Sequence, residues 1–164
     1  VDKVRTSSVL ENERLVDPFD AAIVNNADTL RAKVLALEDA MRKEPDQLHI
    51  EPVHYIAHGL YAREITIPKG CTLTGKIHLF EHINIISKGE ISVLTEHGVK
   101  RIKAPATIIS QPGIKRVGYA HEETVWTTIH ACNVKDGDEA EKLLVVDTFE
   151  EFEKAIEDKC HLLP

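Results

Sequence analysis

The 164-residue chain is predicted to fold as a mainly β domain, a small antiparallel barrel or double-sheet sandwich with a helix on each flank. Three observations carry this expectation. Between Glu51 and Asn133, short runs rich in β-branched residues follow one another at close spacing. Turn signals separate them at Pro68-Lys69-Gly70, Lys88-Gly89, Glu96-His97-Gly98 and Gln111-Pro112-Gly113. No helical pattern interrupts the series, and a parallel sheet needs crossover helices.

Each element follows from local chemistry. Residues 1–16 show no sustained period and read as an arm. Asp17-Pro18 and Asn25-Asn26 are turn or cap signals. From Ala27 to about Lys43 the chain reads as helix, because Leu30, Val34, Leu37 and Met41 recur on one face. Asn26 suits its N-cap, and Pro45 stops it. A lone helix of this length is marginal in water, so the stripe must pack on its own barrel or on another subunit. The predicted strands are Val53–Ala57, Leu60–Ile67, Thr72–His78, Ile83–Ser87, Glu90–Thr95, Val99–Lys103, Ala106–Ser110 and Thr124–Ala131. Asp136–Glu141 reads as a polar linker. A last helix is expected from Phe149 to about Lys159, with Thr148 and Glu151 at capping-box spacing and Phe149, Phe152 and Ile156 on its apolar face. The chain thus divides into an arm and helix (1–50), a barrel (51–133), and an acidic linker with helix (134–164).

Composition narrows the function classes. Hydrophobic residues at 43% and charged residues at 29% make a soluble globular balance. The net charge is −7, with a mildly basic centre between two acidic flanks. Without a basic stripe interleaved with aromatics, no nucleic-acid partner is expected. Apolar runs such as Leu143–Val146 are far too short to span a bilayer, and no basic-then-apolar leader opens the chain, so neither a membrane nor signal-peptide secretion is expected. Cys71, Cys132 and Cys160 are widely separated and show neither a disulfide framework nor zinc-ligand spacing. Cys71 could act as a nucleophile near His78, but a small buried thiol is the commoner state. Neither a phosphate loop nor a serine triad is readable.

The segment from Pro68 to Leu94, PKGCTLTGKIHLFEHINIISKGEISVL, resembles the first motif of the cupin superfamily. That motif places His-x-His, then a Glu, then a strand ending in a glycine turn. Gly89 matches the closing glycine. Counting back puts His82 at the usual Glu position, His78 at the second His and Lys76 at the first. Gln111–Arg116 resembles the second motif and puts Arg116 near its His. From His54 to His130 the chain looks still more like small cupin-like proteins encoded by tailed phages. The words GLYARE (Gly59–Glu64), TGKIH (Thr74–His78), EHINI (Glu81–Ile85), KAPATI (Lys103–Ile108) and VWTTIH (Val125–His130) carry that likeness. The resemblance implies a jelly-roll barrel, a phage origin and a place in the host cytoplasm or the virion. It implies no reaction.

A metal-binding cupin typically offers three imidazoles and one carboxylate. At those places this chain has Lys76, His78, His82 and Arg116, and the cationic side chains are poor metal ligands. His78 and His82 alone would hold a divalent metal weakly. Glu81, His58, Glu64, His121 or His130 would have to complete the set. The expected ligand is therefore a small anion held by Lys76, His78, His82 and Arg116, rather than a tightly bound metal. Strand alternation leaves two arrangements open. Thr72, Thr74, Lys76 and His78 share one face, as do His82, Asn84 and Ile86, and Trp126, Thr128 and His130. These faces point either to solvent, with the isoleucines as core, or, as the resemblance implies, into the barrel. Three functions remain open at this point. One is a non-catalytic structural, adaptor or decoration protein of a phage, oligomeric through its arm and helix and contacting other phage proteins. The second is a binder of a small anion or nucleotide. The third is a metal-dependent cupin enzyme using His78 and His82.

Overall fold

The computed structural model describes residues 3–6, 27–95 and 98–160. In chain order these form β1 (Lys3–Thr6), α1 (Ala27–Lys43), β2 (Gln47–His49), β3 (Val53–Ala57), β4 (Leu60–Ile67), β5 (Cys71–His78), β6 (His82–Lys88), β7 (Glu90–Thr95), β8 (Gly98–Lys103), β9 (Ala106–Ser110), β10 (Lys115–Ala120), β11 (Thr124–His130), α2 (Gly137–Leu144), β12 (Val145–Val146) and α3 (Phe149–Cys160). The expected mainly β class, with two antiparallel sheets and flanking helices, is what the strand pairing gives.

The first sheet runs β2-β1-β5-β10-β7-β8, and β12 extends the edge of β5 beyond β1. The second runs β3-β4-β11-β6-β9. Between them lies an apolar core built on Ile65, Ile67, Leu73, Ile86, Ile91 and Val93. Gly89 turns β6 into β7 with φ at +88°, where a Cβ would collide with the Glu123 carbonyl oxygen. Only glycine meets both demands.

Cross-strand register places the isoleucines. In the second sheet, Ile65 lies opposite Trp126, and Trp126 opposite Ile86, all facing the core. One rung along, Arg63 lies opposite Thr128 and Thr128 opposite Asn84. The next rung brings in Tyr61, His130 and His82. Each strand therefore runs from an apolar end of the barrel to a polar end. The alternate residues, including Ile83, Ile85 and Ile129, face outward. In this sheet the polar faces point inward, and the reading that put these isoleucines in the core is corrected.

The Leu30-Val34-Leu37-Met41 stripe packs within its own chain. Val34 meets Leu94 and Val117 of the first sheet, with Leu30 and Leu37 beside them, and Met41 is buried. The stripe no longer asks for a second subunit to cover it. An ion pair fixes the helix: buried Lys115 reaches Glu38 at 3.0 Å and donates to the Asp147 carbonyl at 3.1 Å. The α3 capping box forms as expected, with Glu151 N–H donating to Thr148 Oγ1 and Thr148 N–H to Glu151 Oε2.

Three local expectations are revised. Lys3–Thr6, read as part of an arm, is a strand between β2 and β5; residues 7–16 and Asn26 lie outside the described residues. The 136–141 linker is mostly helix: Asp136 caps α2 by accepting from Glu139 N–H at 2.8 Å, and Ala140 and Leu144 are buried against Tyr61 and Val134. Strand β10 was not anticipated. Its Lys115-Arg116 start and Gly118 spoil the strand pattern, and at Gly118 the backbone packs close, since Ile91 and Leu73 would stand only 3.0–3.1 Å from a Cβ.

Candidate metal centre and ligand pocket

A bulge in β5 aims the first functional side chains. Lys115 pairs with Ile77 and Val117 with Thr74, so β5 spends one residue more than β10 between these rungs. Before the bulge, Leu73 faces the core, and Thr74 faces Glu38 of α1. After it, Lys76 and His78 line the polar end of the barrel. The even-numbered residues of β5 thus do not share one face as strict alternation would have it.

His78 ends β5, His82 opens β6 and His130 ends β11. Their ring centroids stand 4.1 Å (His78–His82), 5.0 Å (His78–His130) and 4.8 Å (His82–His130) apart. His78 Nδ1 and His130 Nε2 share a 2.9 Å hydrogen bond. His82 Nδ1–H donates to the Phe80 carbonyl at 3.0 Å, which leaves Nε2 as the lone-pair nitrogen. His82 and His130 are buried, and one donor nitrogen from each ring lies within 4.8 Å of the others.

All three rings are held neutral. Burial pushes His78 well below the ordinary histidine value, helped by the other two rings and by Arg63 and Arg116. Burial lowers His130 to about 4, with His82 adding to it. Burial also lowers His82, against a smaller raising effect of the Phe80 carbonyl. Neutral imidazole is the metal-ligating form.

This chemistry fits a divalent transition metal. Metal–nitrogen bonds of about 2.0–2.1 Å bring ligating nitrogens to roughly 3.0–3.4 Å from one another. The His78–His130 pair, at 2.9 Å, stands just under that spacing and would exchange its shared hydrogen bond for the metal, and the nitrogens of all three rings lie within 4.8 Å of one another. His130 supplies the third imidazole, at the end of VWTTIH. The other residues weighed for that place are elsewhere. Glu81 is exposed and accepts from Gln111, Glu64 is on the outer face, His121 bonds Ser92, and His58 is exposed in a turn.

The remaining predicted residues divide. Arg116 lines the same cavity and exerts its charge on His78 and His82. Its Nε and Nη2 donate to Ser110 Oγ at 3.2 and 2.7 Å. Ser110 Oγ also accepts from Asn84 Nδ2 at 2.7 Å. Asn84 Oδ1 in turn accepts from Trp126 Nε1 and Thr128 Oγ1, both at 2.9 Å. This buried chain of hydrogen bonds sets the guanidinium in place. Lys76 stands at the rim, where Glu141 of α2 and Asp147 pair with it, so its charge is matched inside the chain. Arg63, not singled out in the sequence, also lines the cavity; its alternation with Tyr61, Ile65 and Ile67 along β4 was the available signal. Cys71 is fully buried in the core, and burial raises its thiol, which argues against a nucleophile.

The cavity holds about 330 Å³. The imidazoles and two arginines occupy its polar part, Ile65, Ile67 and Ile91 its apolar floor, and Ala140, Glu141 and Leu144 of α2 form one wall. Among the described residues, no buried side-chain polar atom lacks a partner.

No family model matches the chain, and no curated protein matches it. Among solved structures it is similar to an acetylacetone dioxygenase from Acinetobacter johnsonii, at 14% identity over 55% of this chain and 64% of that one, with a TM-score of 0.41. It is similar to a cupin-2 domain containing protein from Shewanella frigidimarina, at 10% identity over 70% of this chain and 99% of that one, with a TM-score of 0.43. It is also similar to a putative ethanolamine utilization protein Q from Salmonella typhimurium, at 12% identity over 52% and 70%, with a TM-score of 0.43. The matched part spans less than two thirds of the dioxygenase. At these values the likeness carries no argument about activity, and the two-sheet fold rests on the pairing described above. No described helix is long and apolar enough to cross a membrane.

Proposed function

We propose that this barrel binds a divalent transition metal through His78, His82 and His130, and beside it a small anionic ligand with an apolar body. The observation that carries the reading is the convergence of three neutral imidazoles from three strands at one end of the barrel cavity. A metal held there would act as a Lewis acid toward a ligand oxygen. The chain's own residues supply the rest. Arg116, braced by Ser110 and Asn84, and Arg63 favour a carboxylate or similar anion, through charge-assisted hydrogen bonds. Ile65, Ile67 and Ile91 suit an apolar remainder. In this reading Lys76 serves the wall of the cavity rather than the ligand. Whether a reaction follows binding is a separate matter from the site.

Titration of the metal-free protein with cobalt(II), followed by calorimetry and visible absorption, tests the site. One cobalt per chain is expected, with binding strongly weakened by His78→Ala, His82→Ala and His130→Ala alike. Binding unaffected by these changes would refute it.

A second reading is a structural or adaptor protein that uses the barrel as a building block. The charge-poor outer face of the second sheet favours it, and on the resemblance to phage-encoded barrels it would join other phage proteins. Cobalt binding at the triad would favour the first reading over this one.

A further inference from the structure

The geometry points to a homodimer in which two copies pack the outer faces of their second sheets together. The evidence is independent of the metal site. On that face one rung runs Tyr55, Ala62, Ile129, Ile83, Ile109 across all five strands. Not one of these residues is charged, and Tyr55, Ile83 and Ile109 are 51, 43 and 62% exposed. The neighbouring rung adds Val53, which is 50% exposed, and Ile85. Its one carboxylate, Glu64, accepts from Thr127 Oγ1 at 2.9 Å and from the Tyr55 hydroxyl at 3.4 Å. One charge in ten positions contrasts with a chain that is 29% charged, and loss of charge marks the centre of an interface rather than a solvated face.

The occupant is a second copy. The helices leave this outer face uncovered among the described residues: α1 packs on β1, β7 and β10 and α3 on β12 of the other sheet, and α2 packs on β12 and on Tyr61, which faces the barrel interior from β4. Five strands at about 4.8 Å spacing, each about 20 Å long, make a face that with side-chain relief reaches the order of 800 Å². That is the area per partner that a stable dimer buries. A face this poor in charge, whose one carboxylate is held by Thr127 and Tyr55, can also pack on its own copy about a two-fold axis, so one surface suffices for both partners.

Sedimentation velocity of the full chain across micromolar concentrations tests this. The wild type is expected to be a dimer. Tyr55→Lys and Ile109→Lys lie on opposite edges of the sheet and start from exposed side chains, so each should keep the far-UV circular dichroism of the wild type. Each should raise the dissociation constant at least about tenfold, and the pair together about a hundredfold or more, since like charges would face each other across the axis. A monomeric wild type, or a dimer unmoved by both changes, would overturn the proposal.

Discussion

His130 is the residue on which the site turns. Its ring lies in contact with both other imidazoles and titrates only at about 4. In the unfolded chain it would bind a proton near pH 6.5. Between those values the unfolded state holds more protons than the folded one, so stability is full above pH 6.5 and is lost as the pH falls toward 4. His130 alone accounts for about 3 kcal/mol across that window. Denaturant unfolding of the metal-free protein between pH 7 and 4 should show this slope, steepened by His78 and His82, and His130→Asn should reduce it without abolishing it. Arg116 is the second decisive residue. Arg116→Gln keeps donors for Ser110 but removes the charge, so metal binding should survive while benzoate binding to the cobalt-loaded protein falls roughly 10–100-fold by calorimetry. Lys76→Met should leave benzoate binding nearly unchanged, because Glu141 and Asp147 already hold that ammonium at the rim. Equal losses from Lys76 and Arg116 would place the ligand nearer α2 than the braced guanidinium.

At the scale of elements, the strongest single tie is the buried pair joining α1 to the first sheet. Lys115 lies under α1 with Glu38 as its carboxylate partner, and Arg42 and Thr74 also approach Glu38. Glu38→Ala strands a buried ammonium and should cost about 3 kcal/mol, read as a lower urea midpoint at an unchanged slope. A loss below about 0.5 kcal/mol would mean that water reaches Lys115 freely. Much of this level was legible in the sequence, since regular patterns report regular structure. Ala27–Lys43 and several strands are delimited by stripes and turns that local chemistry dictates. What was missed depends on partners distant in the chain. β10 carries Lys115 and Gly118, which answer to Glu38 and to Ile91 and Leu73 far away in the chain, and Arg116, which faces the cavity, and so it lacks strand alternation. The β5 bulge is invisible for the same reason: it exists only against β10. His78, His82 and Arg116 were legible through their places in motifs, whereas His130 was one of several acceptable third ligands until register brought β11 beside β6.

The whole molecule has an unusual division of surfaces. One end of the barrel is apolar, the other end holds imidazoles and guanidinia, and the outer face of the second sheet is apolar where a monomer would be polar. The inward and outward arrangements are two halves of one fact, because alternation that turns His82 and Asn84 inward must turn Ile83 and Ile85 outward. An interior lined by imidazoles and guanidinia thus leaves apolar side chains on the outer face, which is the face the proposed dimer would bury. The central claim is that three imidazoles converge to hold one metal, and X-ray absorption at the cobalt edge of the loaded protein tests it most directly. The account predicts one cobalt per chain with three imidazole scatterers, falling to two in His130→Ala. Cobalt surrounded by oxygen alone, or a spectrum unchanged by His130→Ala, would contradict it.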